Sequence, residues 1–213
     1  DLDIGFITSK VESPLQLDKR DKCAIQLEDG HCWTYEELNQ RTNAYGNKLK
    51  DFGIKKGDRV GILLYNCLEY FAIYFAVAKI GAIAVRLNFR LTSSELDCAI
   101  NDAGVRILCF QSEMLHEVEP IRHRLSVEKY ICLGRNGNAL PDWAVSWDLL
   151  EKGEVTPIET EIYLDDPVML MYTSGTTGRP KGAIWTHNNT FWFSSMQVMK
   201  WQFTGEEIAM TTG

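Results

Sequence analysis

The chain has 213 residues, 45% hydrophobic and 24% charged, enough to bury a sizeable core as one large domain or one domain and a piece of another. A formal net charge of -7, with no basic stripe to neutralise phosphates, argues against a nucleic-acid surface but not against a small anion held by a single loop. The longest apolar stretch, Tyr70 to Ala78, is flanked by Glu69 and Lys79 and is far too short to span a bilayer, so no transmembrane segment is expected.

In chain order, Cys23–Leu27 and His31–Trp33 predict two short strands joined at Asp29-Gly30, a hairpin signal. Thr34-Tyr-Glu-Glu37 predicts a capping box, followed by apolar residues at helical spacing as far as Phe52, with Gly53 as the stop. Strands and helices then alternate. Arg59–Tyr65 predicts a strand, and Asn66 is expected to cap a helix that runs to about Lys79. Ala82–Leu87 predicts a strand. Thr92-Ser-Ser-Glu95 predicts a second capping box, opening a helix that Gly104 ends. Val105–Phe110 predicts a strand, Glu113–Leu125 a helix, and Lys129–Leu133 a strand. Arg135–Pro157 has the composition of a loose connection with a short helical turn at Trp147–Glu151. Pro167–Tyr172 predicts another strand, Thr186–Phe203 a helix and Ile208–Thr212 a last strand. Strands apolar on both faces and separated by helices predict an α/β fold: a largely parallel sheet flanked by helices, preceded by the hairpin.

The six cysteines form no Cys-x-x-Cys pair, and four lie in or beside apolar runs, so reduced thiols in a cytoplasmic protein are expected. The start, Asp1-Leu2-Asp3, lacks the basic and apolar regions of a secretion signal. The four histidines are scattered, which does not make a zinc site.

The segment that carries chemistry is Thr173-Ser-Gly-Thr-Thr-Gly-Arg-Pro-Lys-Gly182, which leaves an apolar strand and soon leads into a helix. Thr173, Ser174, Thr176 and Thr177 supply hydroxyl donors that rotate to meet oxygens. Gly175, Gly178 and Gly182 let the backbone turn tightly and bring its N–H groups close to a ligand. Lys181 and Arg179 add positive charge, and Pro180 stiffens the exit. Together these suit a polyphosphate. The segment is not a Walker A loop, because Pro180 precedes Lys181 and Gly182 follows it, so a P-loop hydrolase is disfavoured.

Leu170-Met-Tyr-Thr-Ser-Gly-Thr-Thr-Gly-Arg-Pro-Lys181 resembles the signature of the adenylate-forming, AMP-binding superfamily, which includes acyl-CoA synthetases, amino-acid adenylation domains and firefly-type luciferases. Trp33-Thr-Tyr-Glu-Glu-Leu38, Lys56-Gly-Asp-Arg-Val-Gly-Ile-Leu-Leu64 and Leu87-Asn-Phe-Arg-Leu91 resemble further stretches of the same family. The resemblance implies ATP-dependent activation of a fatty or aromatic acid to an acyl-adenylate, then transfer to CoA. Thr173, Ser174, Gly175, Thr176, Thr177, Gly178 and Lys181 would hold the nucleotide, with Lys181 also catalytic. Mg²⁺ would accompany ATP, and which threonine faces it stays open. Arg179 stands at the motif's variable position, and His187, at a helix start, is expected to be structural. Arg86 stands where relatives often carry proline, and a carboxylate partner is expected for it. Trp185, Trp192 and Trp201 are expected to pack.

The resemblance also implies that residues 1–213 are the N-terminal portion of the AMP-binding domain. The adenine and acyl pockets and a C-terminal lid would then lie beyond Gly213. Such a piece is expected to be inactive alone, with a homodimer one expected consequence of its uncovered surfaces. An amino-acid adenylation domain and a non-catalytic nucleotide-binding module are the alternatives.

Overall fold

The computed structural model describes residues 19–135, 137, 140–173 and 181–202. The hairpin forms as predicted: β1 (Cys23–Gln26) pairs antiparallel with β2 (Cys32–Thr34), and Gly30 turns the chain at φ 88°. Pairing sets Cys23 and Cys32 on adjacent strands with Cα atoms 6.3 Å apart, joined as a disulfide. The expectation of reduced thiols therefore fails for this pair, because cross-strand proximity is set by hairpin register rather than by Cys-x-x-Cys spacing. Cys67, Cys98, Cys109 and Cys132 are free.

Helix α1 (Tyr35–Asp51) opens with the expected box: the Glu37 amide donates to Thr34 Oγ1 at 3.2 Å, and the Thr34 amide to the Glu37 carboxylate at 2.9 Å. After β3 (Arg59–Leu63), helix α2 (Leu68–Lys79) starts later than expected. Cys67, not Asn66, is its N-cap; its backbone stays extended, and its carbonyl accepts from the Tyr70 amide. β4 (Ile83–Arg86) and α3 (Ser93–Ala103) follow, with the Thr92–Glu95 box in place and Gly104 left-handed at φ 61°. Beyond β5 (Ile107–Gln111), the expected single helix is broken into a 3₁₀ turn at Ser112–Met114, a short α4 (Leu115–Val118) and a second 3₁₀ turn at Arg122–Arg124. Pro120 explains the break, since it has no N–H to bond back and its ring crowds the preceding turn.

β6 (Lys129–Leu133) forms as predicted. The connection that follows is more ordered than its composition suggests. It contains β7 (Val145–Ser146), added parallel to β6, and α5 (Asp148–Glu151), with Trp147 buried between them. Gly153 lies so close to α1 that a Cβ there would come within 2.7 Å of the Ala44 carbonyl carbon. Last come β8 (Pro167–Thr173), β9 (Lys181–Thr186) and α6 (His187–Trp201). β9 was not foreseen, and the expected strand Ile208–Thr212 lies outside the described residues.

Among the described residues the main sheet has seven strands in the order β7-β6-β5-β3-β4-β8-β9. Every neighbouring pair is parallel except β8 with β9. Tyr45, Leu49, Ile73 and Val77 fill the core on the face of α1 and α2. Leu96, Ile100, Phe110 and Val118 fill the opposite face. No described helix is long and apolar enough to cross a membrane. Because β3 to β8 run the same way, their carboxyl ends line one edge of the sheet, where α/β proteins bind ligands.

Candidate functional site

The hydroxyl- and glycine-rich segment is anchored at this carboxyl edge. β8 ends at Thr173 and β9 begins at Lys181, and these two residues are paired in the antiparallel ladder. Ser174, Gly175, Thr176, Thr177 and Gly178, together with Arg179 and Pro180, lie outside the described residues. Lys181 is exposed at the start of β9. Gly182 is needed for a packing reason: a Cβ there would sit 3.0 Å from Leu170 Cδ1 and 3.3 Å from the Tyr172 ring.

The end of β8 is itself fastened. The Tyr172 hydroxyl donates to Asp102 Oδ2 at 2.6 Å, tying the strand to the last turn of α3. Burial, and then the bond to Asp102, push the Tyr172 hydroxyl well above the usual tyrosine range, so it stays a donor. Sequence alone gave no sign of the Tyr172–Asp102 pair, because the partners come from different elements.

Nearby polar groups on the same edge were also missed. Arg135 Nη2 meets Glu69 at 2.6 Å, and the Arg135 amide donates to Ser112 Oγ at 3.1 Å. The Gln111 side-chain oxygen accepts from the Tyr65 amide at 3.2 Å. The one sequence signal was position: each follows or ends a predicted strand. Cys67 stands beside Glu69, and burial, aided by the Glu69 charge, pushes its thiol up to about 12, so it is not a thiolate nucleophile.

His187 occupies the first position of α6, buried, with its amide donating to the Asp166 carbonyl at 3.1 Å. Thr186 and Asn189 cap the helix reciprocally, at 3.2 and 2.9 Å. The structural position expected for His187 is therefore the one it holds. Burial pushes its imidazole down to about 4; Asp166 opposes the fall and Lys56 adds to it. In the unfolded chain the ring would titrate near 6.5. The stability it lends is thus full above that value and lost as pH falls towards about 4. Denaturation midpoints measured from pH 7 to 4 should fall less steeply in His187→Gln than in the unmodified protein. Parallel curves would disprove it.

Two other expectations are corrected. Arg86 meets no carboxylate among the described residues; its Nε donates to the Tyr70 hydroxyl at 2.6 Å, and Nη1 lies 3.9 and 3.8 Å from the sulfurs of Met169 and Met171. Of the tryptophans, Trp185 packs and donates to Thr190 Oγ1 at 2.8 Å. Trp192 and Trp201 are instead 57% and 54% exposed, because only the first residue of α6 is buried.

A family model described as AMP-binding enzyme matches residues 16–212. The chain belongs to the AMP-binding enzyme family. It is 34% identical over 179 residues to a 2-succinylbenzoate–CoA ligase of Oceanobacillus iheyensis, covering 84% of this chain and 34% of that protein. It is also 34% identical over 181 residues to a feruloyl-CoA synthase of an Amycolatopsis species, covering 85% of this chain and 34% of that one. Among solved structures, the anthranilate CoA ligase AuaEII, in complex with anthranoyl-AMP, superposes with a TM-score of 0.79 at 29% identity, covering 84% of this chain and 34% of that one. This AMP-binding chain thus spans about a third of the length of the curated relatives it matches.

Proposed function

We propose that the protein carrying this chain is an AMP-forming acid–thiol ligase. It would use ATP to activate a fatty or aromatic acid as its acyl-adenylate and then pass the acyl group to CoA. The observation that carries this is a hydroxyl- and glycine-rich segment hung between the paired ends of β8 and β9, at the carboxyl edge of the sheet, in a member of the AMP-binding family. The names of its relatives support a CoA ligase over an amino-acid adenylation domain.

The donor set suits a polyphosphate. In this proposal Thr173, Ser174, Thr176 and Thr177 offer hydroxyls to the phosphates, while Gly175 and Gly178 let backbone amides approach. Lys181, exposed at the start of β9, places its ammonium where charge builds on departing pyrophosphate. The acid's carboxylate oxygen attacks the α-phosphorus, the bond to the bridging oxygen breaks, and pyrophosphate leaves in line. The described residues bring no group of three metal-ligating His, Cys, Asp or Glu side chains together. In this proposal Mg²⁺ accompanies the phosphates of ATP, and which threonine of the segment faces it stays open. As the N-terminal portion of the AMP-binding domain, the chain by itself is proposed to fold but not to turn over.

The test is carboxylate-dependent ATP–pyrophosphate exchange by the protein that carries the chain, across fatty, aromatic and amino acids, beside residues 1–213 alone. Exchange with fatty or aromatic acids, and none by the short chain, is expected. Exchange with amino acids only would replace this proposal by the adenylation-domain alternative, and exchange with no acid would leave a nucleotide-binding module.

A further inference from the structure

The N-terminal hairpin is a two-stranded sheet separate from the main one, and such a pair is marginal in water without further support. Its two strands are held unequally. β2 is anchored by Trp33, 5% exposed, with the Arg41 guanidinium 4.2 Å from its ring centroid. β1 has no fully buried residue: Cys23 and Gln26 are exposed, while Ala24 and Ile25 are half-buried against the core. The Cys23–Cys32 bridge therefore ties a weakly held strand to a firmly held one.

What the tie secures is the start of α1. The carbonyls of Lys22 and Arg20 accept from the amides of Tyr35 and Glu36, each at 3.1 Å, so the chain just before β1 supplies acceptors to the first turn of the helix. The Thr34–Glu37 box does not depend on them, because both its bonds lie within residues 34–37. The bridge is also open to exchange, with Cys23 exposed and Cys32 half-buried. The two cysteines are 9 positions apart, and so short a closed loop protects a bridge less than a long one. Of the other four cysteines, Cys67, Cys109 and Cys132 are buried, and burial pushes each thiol up; Cys98 on α3 is exposed.

We propose that Cys23 and Cys32 are a reversible thiol–disulfide switch that sets how firmly β1 and residues 19–22 are held on the first turn of α1. Reduction runs by exchange with a low-molecular-weight thiol such as glutathione. Its thiolate attacks Cys23 Sγ, the exposed sulfur; the S–S bond breaks, and Cys32 leaves as a thiolate that takes up a proton. A second glutathione thiolate attacks the mixed disulfide, releasing oxidised glutathione and the Cys23 thiol. Two electrons pass to the cysteine pair, and oxidised glutathione reverses both steps. In the oxidised form β1 stays on β2 and the amides of Tyr35 and Glu36 keep their acceptors. In the reduced form β1 opens while Trp33 still holds β2.

The experiment equilibrates the protein carrying this chain in glutathione buffers from fully oxidised to fully reduced and traps its thiols with iodoacetamide. Alkylation at each cysteine is read by peptide mass mapping, and the trapped protein is exposed briefly to trypsin. Alkylation of Cys23 and Cys32 should fall together as oxidised glutathione rises. Cleavage after Lys19, Arg20 and Lys22 should be about tenfold faster in the reduced protein, as expected when a short cross-link no longer restrains the open state. The double variant Cys23→Ser, Cys32→Ser should be cut at the fast rate in every buffer. The central comparison uses one unmodified protein in two redox states, so it stands even if the variant does not fold. Full alkylation of both cysteines in oxidised glutathione, a bridge that persists in reduced glutathione, or equal cleavage in the two states each overturns the proposal.

Discussion

Lys181→Ala should slow ATP–pyrophosphate exchange by about 100-fold, the cost of removing one preorganised group that meets charge developing in a transition state. Lys181 is exposed at the first position of β9 and in register with Thr173, so the loss of its ammonium should leave the sheet intact. The circular dichroism spectrum and the urea midpoint should therefore match those of the unmodified protein. Lys181→Arg should recover only part of the rate, because a planar fork replaces a compact charge on a flexible stem. If Lys181 is merely a solvated surface residue, both variants will exchange at the unmodified rate, and the assignment of Lys181 as catalytic falls.

Trp147→Ala should destabilise the fold by about 4 kcal/mol, in the range for truncating a buried aromatic side chain. Trp147 is 2% exposed and meets the ring of Tyr45 edge-on, centroids 5.6 Å apart. Its Nε1 donates to the Tyr45 hydroxyl at 3.1 Å, and that hydroxyl lies 3.4 Å from Glu151. Truncation opens a cavity beneath α1 and leaves the Tyr45 hydroxyl without one partner, two costs that add. Trp147→Phe should cost less, since the ring contact survives while the N–H is lost. Urea denaturation monitored by circular dichroism gives both values. A loss below about 1 kcal/mol for Trp147→Ala, as at an ordinary surface site, would mean that residues 135–157 are the loose connection their composition suggests.

These two residues show how differently parts of the molecule could be read. Lys181 was singled out because the segment around it concentrates hydroxyls, glycines and positive charge in an order that suits phosphate, and its role is a proposal. Trp147 was not, because nothing local marks a tryptophan among prolines and glycines as a buried anchor; its partner Tyr45 is 102 residues away. Local signals also carried the helix starts. The boxes at Thr34 and Thr92 involve side chains three residues apart and formed as expected. The start of α2 moved from Asn66 to Cys67 because a backbone carbonyl could serve the first turn in place of a side chain.

What the sequence determined by itself was the class of fold, most of the strand and helix alternation, the two capping boxes and the hydroxyl- and glycine-rich composition of the segment proposed to bind phosphate. Each depends on residues close together in the chain, where periodicity, capping and turn chemistry act. The tertiary structure decided the rest: the strand order, the antiparallel return of β9, the Cys23–Cys32 bridge, the Tyr172–Asp102 clamp and the position of Arg86 beside β8. Those features join residues from different elements. Their energies depend on pairing register and on which faces the sheet buries, and neither is encoded in any short stretch of the chain.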